Sequence, residues 1–404
     1  MNGIDATHFH KLYGVRKQRI TYQKKDFLDY TLMTLISGFI VCFSLGARHS
    51  LSIAAMLLCV WMIVMFPIRH GLELRLPLLF VRPQEVLYSL IHKIQNLKLA
   101  YFLAVGALII ENGFIYLTPG LPHHVELMRK IALYALYAHF IAITLYRTAI
   151  LVSHLAKRER VREILMQSIW KTSLQRQPRI SLEILHAYFT GLLTHIVYLV
   201  PWYLVITHVN FSIILFPITA VAAVLIQQKY QNVLNDWFYR DHWLGHNSEF
   251  EFVYLHGTHH DAIPSSLIGV GGNGHLEGFF RGFVGFPIPF YNPVMAAIAF
   301  TISVKLDMDL HQYIPGVFPR LPRGFYEIGQ HSTHHFGRIE PYGFAFKDTE
   351  KRYKSVAPEL KNSADLDEQL NGYVWDNPRH RWFLDLVDQY EQKADAPLTE
   401  DKAT

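Results

Sequence analysis

The chain has 404 residues, of which 51% are hydrophobic and only 18% charged, with a formal net charge of +5. That balance excludes an ordinary soluble domain, and the apolar residues gather into long runs of the kind that cross a bilayer. The modest positive charge calls for no nucleic-acid partner.

Residues 1–26 form a basic segment carrying Arg16, Lys17, Arg19, Lys24 and Lys25, with no small-residue cleavage site of a signal peptide before the first apolar run. Six runs follow, predicting spans at about Phe27 to Leu45, Leu51 to Ile68, Leu99 to Leu117, Ile131 to Val152, Tyr188 to Thr207 and Phe211 to Gln227, a transmembrane region over 27–228. Alternation puts segments 1–26, 69–98 and 153–187 on one side with 18 Lys and Arg, against 3 on the other. The basic side is therefore expected to be cytosolic, with both termini there, in a bacterial inner membrane or the endoplasmic reticulum. Loops such as Lys157 to Arg160 would face anionic headgroups. Cys42 and Cys59 both fall in expected spans, which argues against a disulfide.

Ten of the 23 histidines lie between positions 242 and 335. His242 and His246 are four apart, so on a helix continuing from the sixth span they share one face. Asn235 and Tyr239 lie on the same stripe and are candidates for holding ligand imidazoles in one tautomer. The word His-x-x-His-His then occurs twice, as His256, His259, His260 and as His331, His334, His335. In each, three imidazoles project from a single helical turn. Facing one another, such helices would offer eight to ten nitrogens, more than the four that one tetrahedral zinc accepts, so two metal ions are expected. Imidazole suits zinc, iron, copper and nickel alike, and ligand type does not choose among them. Neutral ligands beside a bilayer do suit redox iron with positions open to dioxygen. His275 and His311 stand alone, as do His70, His139, His195 and His208, to which no role is assigned. His123 and His124 fall on the opposite side and are expected at the surface.

These words resemble the fatty acid hydroxylase superfamily, which includes the sterol desaturases. Its His-x3-His box matches His242 and His246, and its two His-x2-His-His boxes match the two triplets. A His-x-Glu element matches His275 and Glu277, and an isolated histidine before the last box matches His311. The resemblance covers about Gln228 to Gly343. It departs from the family at Asn235, where an aspartate is usual, and at Trp243, where an arginine is; Asp236 or Asp241 would have to supply the acidic partner.

The resemblance implies an all-α integral membrane protein with a cytosolic helical histidine-box cap over 229–346 and a C-terminal extension over 347–404. It implies two Fe ions, with Zn as a substitute metal, and a reaction that uses O2 to hydroxylate an unactivated C–H bond of a membrane lipid. No catalytic residue beyond the metal ligands is assigned. No flavin or cytochrome b5-like fingerprint appears, so electrons are expected from a separate carrier, a ferredoxin or a cytochrome b5-like protein. The apolar stretch 278–304 reads equally as a membrane-dipping hairpin lining the lipid entrance and as further spans. Lipid desaturation and zinc-dependent lipid hydrolysis are the competing activities. A metal transporter ranks last, because the spans hold few ionisable residues beyond Asp29, Glu111 and Arg147.

Overall fold

A computed structural model describes residues 27–81, 83, 98–121, 123–165, 179–226, 256, 292–312 and 317. Among them there is no strand. The helices are α1 (Phe27–Leu45), α2 (Ser50–His70), α3 (Leu78–Val81), α4 (Lys98–Leu117), α5 (His123–Ala156), α6 (Arg158–Leu165), α7 (Ile180–His208), α8 (Phe216–Ile226) and α9 (Pro293–Gln312). Four of them, α1, α2, α5 and α7, are long and apolar enough to cross a membrane. The protein is an all-α membrane protein on that ground.

The α1–α2 hairpin turns at Gly46, whose φ of 89° suits a residue without a Cβ. His49 caps α2, its Nδ1 accepting from Leu51 N at 3.2 Å. The two helices approach closely at Gly38, where a Cβ would stand 2.9 Å from Cys59 Sγ. Both cysteines are free.

Helix α5 runs 34 residues, about 51 Å at 1.5 Å per residue, well beyond a hydrocarbon core of roughly 30 Å. Its ends continue past the apolar run as ordinary polar helix, with Glu126 and Lys130 paired at 2.7 Å on an exposed face. One stripe of it, Met128, Ala132, Leu136, His139, Ile143, Arg147, Ile150 and His154, is buried. The steps of three and four residues put that stripe on one side of the helix.

Helix α7 is the centre of the bundle. It packs on α1, α2, α5 and α6, while α5 also packs on α9. Lipid would meet the opposite surfaces, where Phe43, Leu57, Ile110, Tyr134 and Leu145 are exposed. The polar residues go inward instead: Arg69, Arg147, Glu183, His139 and His195 are buried. This inside-out distribution is what a bilayer imposes on ionisable side chains, since water is not there to solvate them.

The sixth apolar run departs from expectation. Phe211 and Ser212 are not helical, and within the described residues the helix of this run is α8, Phe216–Ile226. The reason lies at Glu111 of α4, whose Oε1 accepts from Ser212 N at 2.6 Å and holds the connection out of a helix.

Candidate metal centre and the buried polar bundle

The described part of the stretch 278–304 starts at Asn292 and is helical from Pro293. Pro293 opens α9, and Asn292 Oδ1 accepts from Val294 N at 3.1 Å and Met295 N at 3.0 Å. Asparagine at the cap followed by proline at the first helical position is a strong start signal, because proline lacks only a hydrogen bond that would be unmade there anyway. Asn292 Nδ2 also donates to Thr219 Oγ1 at 3.1 Å, tying α9 to α8. Residues 278–291 of the expected hairpin lie outside the described residues.

Helix α9 runs parallel to α5, as two cross-links show. His139 Nδ1 meets Thr301 Oγ1 at 2.9 Å, and seven and eight residues farther along Tyr146 bonds the carboxylate of Asp309. Asp309 also pairs with Lys305 and is fully buried. His311 lies two residues beyond Asp309, buried at the C-terminal end of α9. That end of the bundle also holds the start of α1, where Phe27 N donates to Glu73 O just past α2, and the Arg69–Glu183 contact between α2 and α7.

Of the ten histidines expected as ligands, the structure describes two, His256 and His311, and buries both. Imidazole is a nitrogen donor that zinc, iron, copper and nickel accept alike. His242, His246, His259, His260, His275, His331, His334 and His335 lie outside the described residues. So do Asn235, Asp236, Tyr239, Asp241 and Glu277. Among the described residues no group of three or more His, Cys, Asp or Glu is disposed to hold a metal.

The bundle does bring together histidines to which sequence assigns no role. Arg147 Nη1 lies 3.4 Å from His195 Nδ1, and His195 Nε2 lies 3.1 Å from His139 Nε2. A guanidinium only donates, so His195 Nδ1 accepts. With both rings neutral, the protons are then assigned in sequence: His195 donates through Nε2 to His139, and His139 donates through Nδ1 to Thr301. Thr301 Oγ1 in turn donates to Ala297 O at 2.6 Å. This directed chain links α5, α7 and α9 through groups separated by up to 162 positions. The only hints in the sequence are an arginine and two histidines inside apolar runs.

A second polar knot sits at the basic end. Arg69 Nε donates to Glu183 Oε1 at 3.0 Å, and Arg69 Nη1 donates to His186 Nε2 at 2.9 Å. On the other side of the bundle His124, expected at the surface, is buried and meets Ser212 Oγ at 2.7 Å through Nδ1. Its burial follows from α5 starting at His123, which puts His124 on the inward stripe. His123 itself is exposed, as expected.

Comparison with known proteins finds no matching family model, no matching curated protein and no matching solved structure.

Proposed function

We propose that this protein is a membrane-bound di-iron oxygenase that hydroxylates an unactivated C–H bond of a lipid. The observation that carries the reading is the repeated word at His256, His259, His260 and His331, His334, His335, preceded by the pair His242 and His246. Helical spacing within each word sends its imidazoles the same way, and their number matches two metals rather than one. His275 and His311 complete the proposed ligand set.

Two bound irons would supply dioxygen activation: the lipid C–H and the O–O bonds break, one oxygen enters the lipid, and the other leaves as water with two electrons and two protons. The electrons come from a separate carrier, a ferredoxin or a cytochrome b5-like protein. The chain's own part is to place His311 at the end of α9 by anchoring that helix to α5 through Thr301 and Asp309. The exposed apolar faces of α1, α2, α4 and α5 keep the body in the membrane where the substrate resides. In the topology we propose, the chain crosses six times before the histidine region, with both termini and the basic segments in the cytosol.

The test is metal counted per chain on protein purified in detergent from iron-supplied cells, followed by lipid extraction after incubation with labelled dioxygen and a reductant. Two irons and one labelled oxygen per product are expected. Double bonds without label would replace hydroxylation by desaturation. Turnover without oxygen on a zinc-loaded protein would replace it by hydrolysis.

A further inference from the structure

We propose that the groove between the α1–α2 hairpin, α5 and α7 holds one acyl chain of a membrane phospholipid, with the phosphate beside Arg48 at its mouth. The inference does not depend on the oxygenase reading. The groove lies at the end of the bundle away from His311, where α1 ends and α2 begins.

Its origin is the way the helices pack. Helix α5 and the α1–α2 hairpin each pack on α7, in two apolar clusters that share Phe140 at their seam. Between them a groove of ≈ 320 Å³ remains, counted out to its open side. Ile196, Leu199 and Val200 of α7 are its buried floor. The walls are only half-buried, Leu45 and Leu51 on the hairpin and Tyr137 and Phe140 on α5, so the groove is open along its length. From Tyr203 to Ile196 it follows α7 for two turns, about 10 Å. All of its lining belongs to the four helices long and apolar enough to cross a membrane, so it opens toward hydrocarbon. A narrow, flexible chain lies in such a groove with one side on the floor and the other in the bilayer.

The mouth selects the headgroup. Leu45 and Leu51 bracket a tight turn closed by His49 N donating to Gly46 O at 3.1 Å, which holds Arg48 exposed between the two wall residues. The ring of His49 lies edge-on to Tyr203, with centroids 6.4 Å apart, so the turn sits against that end of the groove. Because His49 Nδ1 accepts from Leu51 N, the neutral ring carries its proton on Nε2 as a donor. The hydroxyls of Tyr137 and Tyr203 make no hydrogen bond within the described residues. By the expected alternation this side of the membrane carries 3 Lys and Arg against 18 on the other. Two of the three are engaged, Arg129 with Asn210 Oδ1 at 2.8 Å and Lys130 with Glu126. Arg48 is the third. An arginine and open phenols at the end of an apolar groove match a phosphate ester joined to an acyl chain.

The test uses the delipidated full chain in detergent, dioleoylphosphatidylglycerol as the probe, and native mass spectrometry to count lipid per chain. One bound lipid is expected. Leu51→Trp fills the groove from its wall and should weaken binding at least about ten-fold by displacing chain from the apolar floor. Arg48→Ala should weaken it about five-fold through loss of one interfacial charge. A phospholipid with a photoreactive group on its acyl chain should crosslink to the segments holding Tyr137 and Val200. That crosslink is read on the unaltered chain, so a folding defect in L51W leaves the test intact. Wild-type binding in L51W, or crosslinks confined to other segments, would overturn the proposal. Displacement by cholesterol at equal concentration would overturn it in favour of a sterol. Equal binding of dioleoylglycerol, together with wild-type binding in R48A, would overturn the phosphate contact.

Discussion

Arg69 Nη2 lies 3.0 Å from Glu183 Oε2, with the two side chains 2% and 0% exposed, so the end of α2 is fastened to the start of α7 by an ion pair out of contact with solvent. Removing one partner strands the other. Glu183→Ala is expected to destabilise the bundle by about 3–5 kcal/mol, and the double replacement R69M with E183L to recover most of that loss. Thermal unfolding in detergent measures both. If the double variant is as unstable as E183A, the cost does not come from an uncompensated charge.

Midway along the α1–α2 hairpin the limit is space. A Cβ at Gly38 would meet Cys59 Sγ at 2.9 Å and Met56 Sδ at 3.1 Å. Gly38→Val should therefore overpack the contact and lower stability by about 1–3 kcal/mol, while G38V combined with C59A should regain part of it. Equal melting of G38V and wild type would mean that the helices separate freely there.

Asn292 is the cap on which α9 starts. Asn292→Ala removes the acceptor for Val294 N and Met295 N and should cost about 1–2 kcal/mol. Hydrogen exchange of the first turn of α9 reads this directly. Faster exchange confined to that turn is expected.

Tyr146 and Asp309 hold the far end of α9, two residues from His311. Tyr146→Phe loses one hydrogen bond, about 1 kcal/mol, and Asp309→Asn removes the charge partner of Lys305 as well. Under the proposed di-iron reading, both variants should release iron faster to a chelator, D309N more than Y146F. Wild-type release from both would detach α9 from the metal centre.

His259→Ala and His334→Ala take one imidazole from each triplet. Each is expected to abolish lipid hydroxylation and lower bound iron, with membrane insertion unchanged. Full activity in either variant would sink the metal assignment.

Much of the helical plan is legible in the sequence. The first run coincides with α1, and the second and third differ from α2 and α4 by one or two residues at an end. Apolar length alone carries that information, because a bilayer demands it. The fourth and fifth runs are extended in α5 and α7 by polar turns, such as the one joined by Glu126 and Lys130, which hydropathy does not register. The histidine words were equally visible, since their spacing is local; their assembly into one centre concerns residues mostly outside those described.

What only the tertiary structure decided is the pairing of groups far apart in the chain. His139 and His195 are 56 positions apart and read singly as packing residues, yet their Nε2 atoms lie 3.1 Å apart, within hydrogen-bond distance. Glu111 turns the start of the sixth run away from helix from 101 positions off. His124 is buried because α5 begins one residue earlier and turns it inward. Periodicity records which side of a helix is apolar. Which helix that side meets, and which polar atom waits there, depends on packing, because a buried polar group must find its partner wherever the fold supplies one.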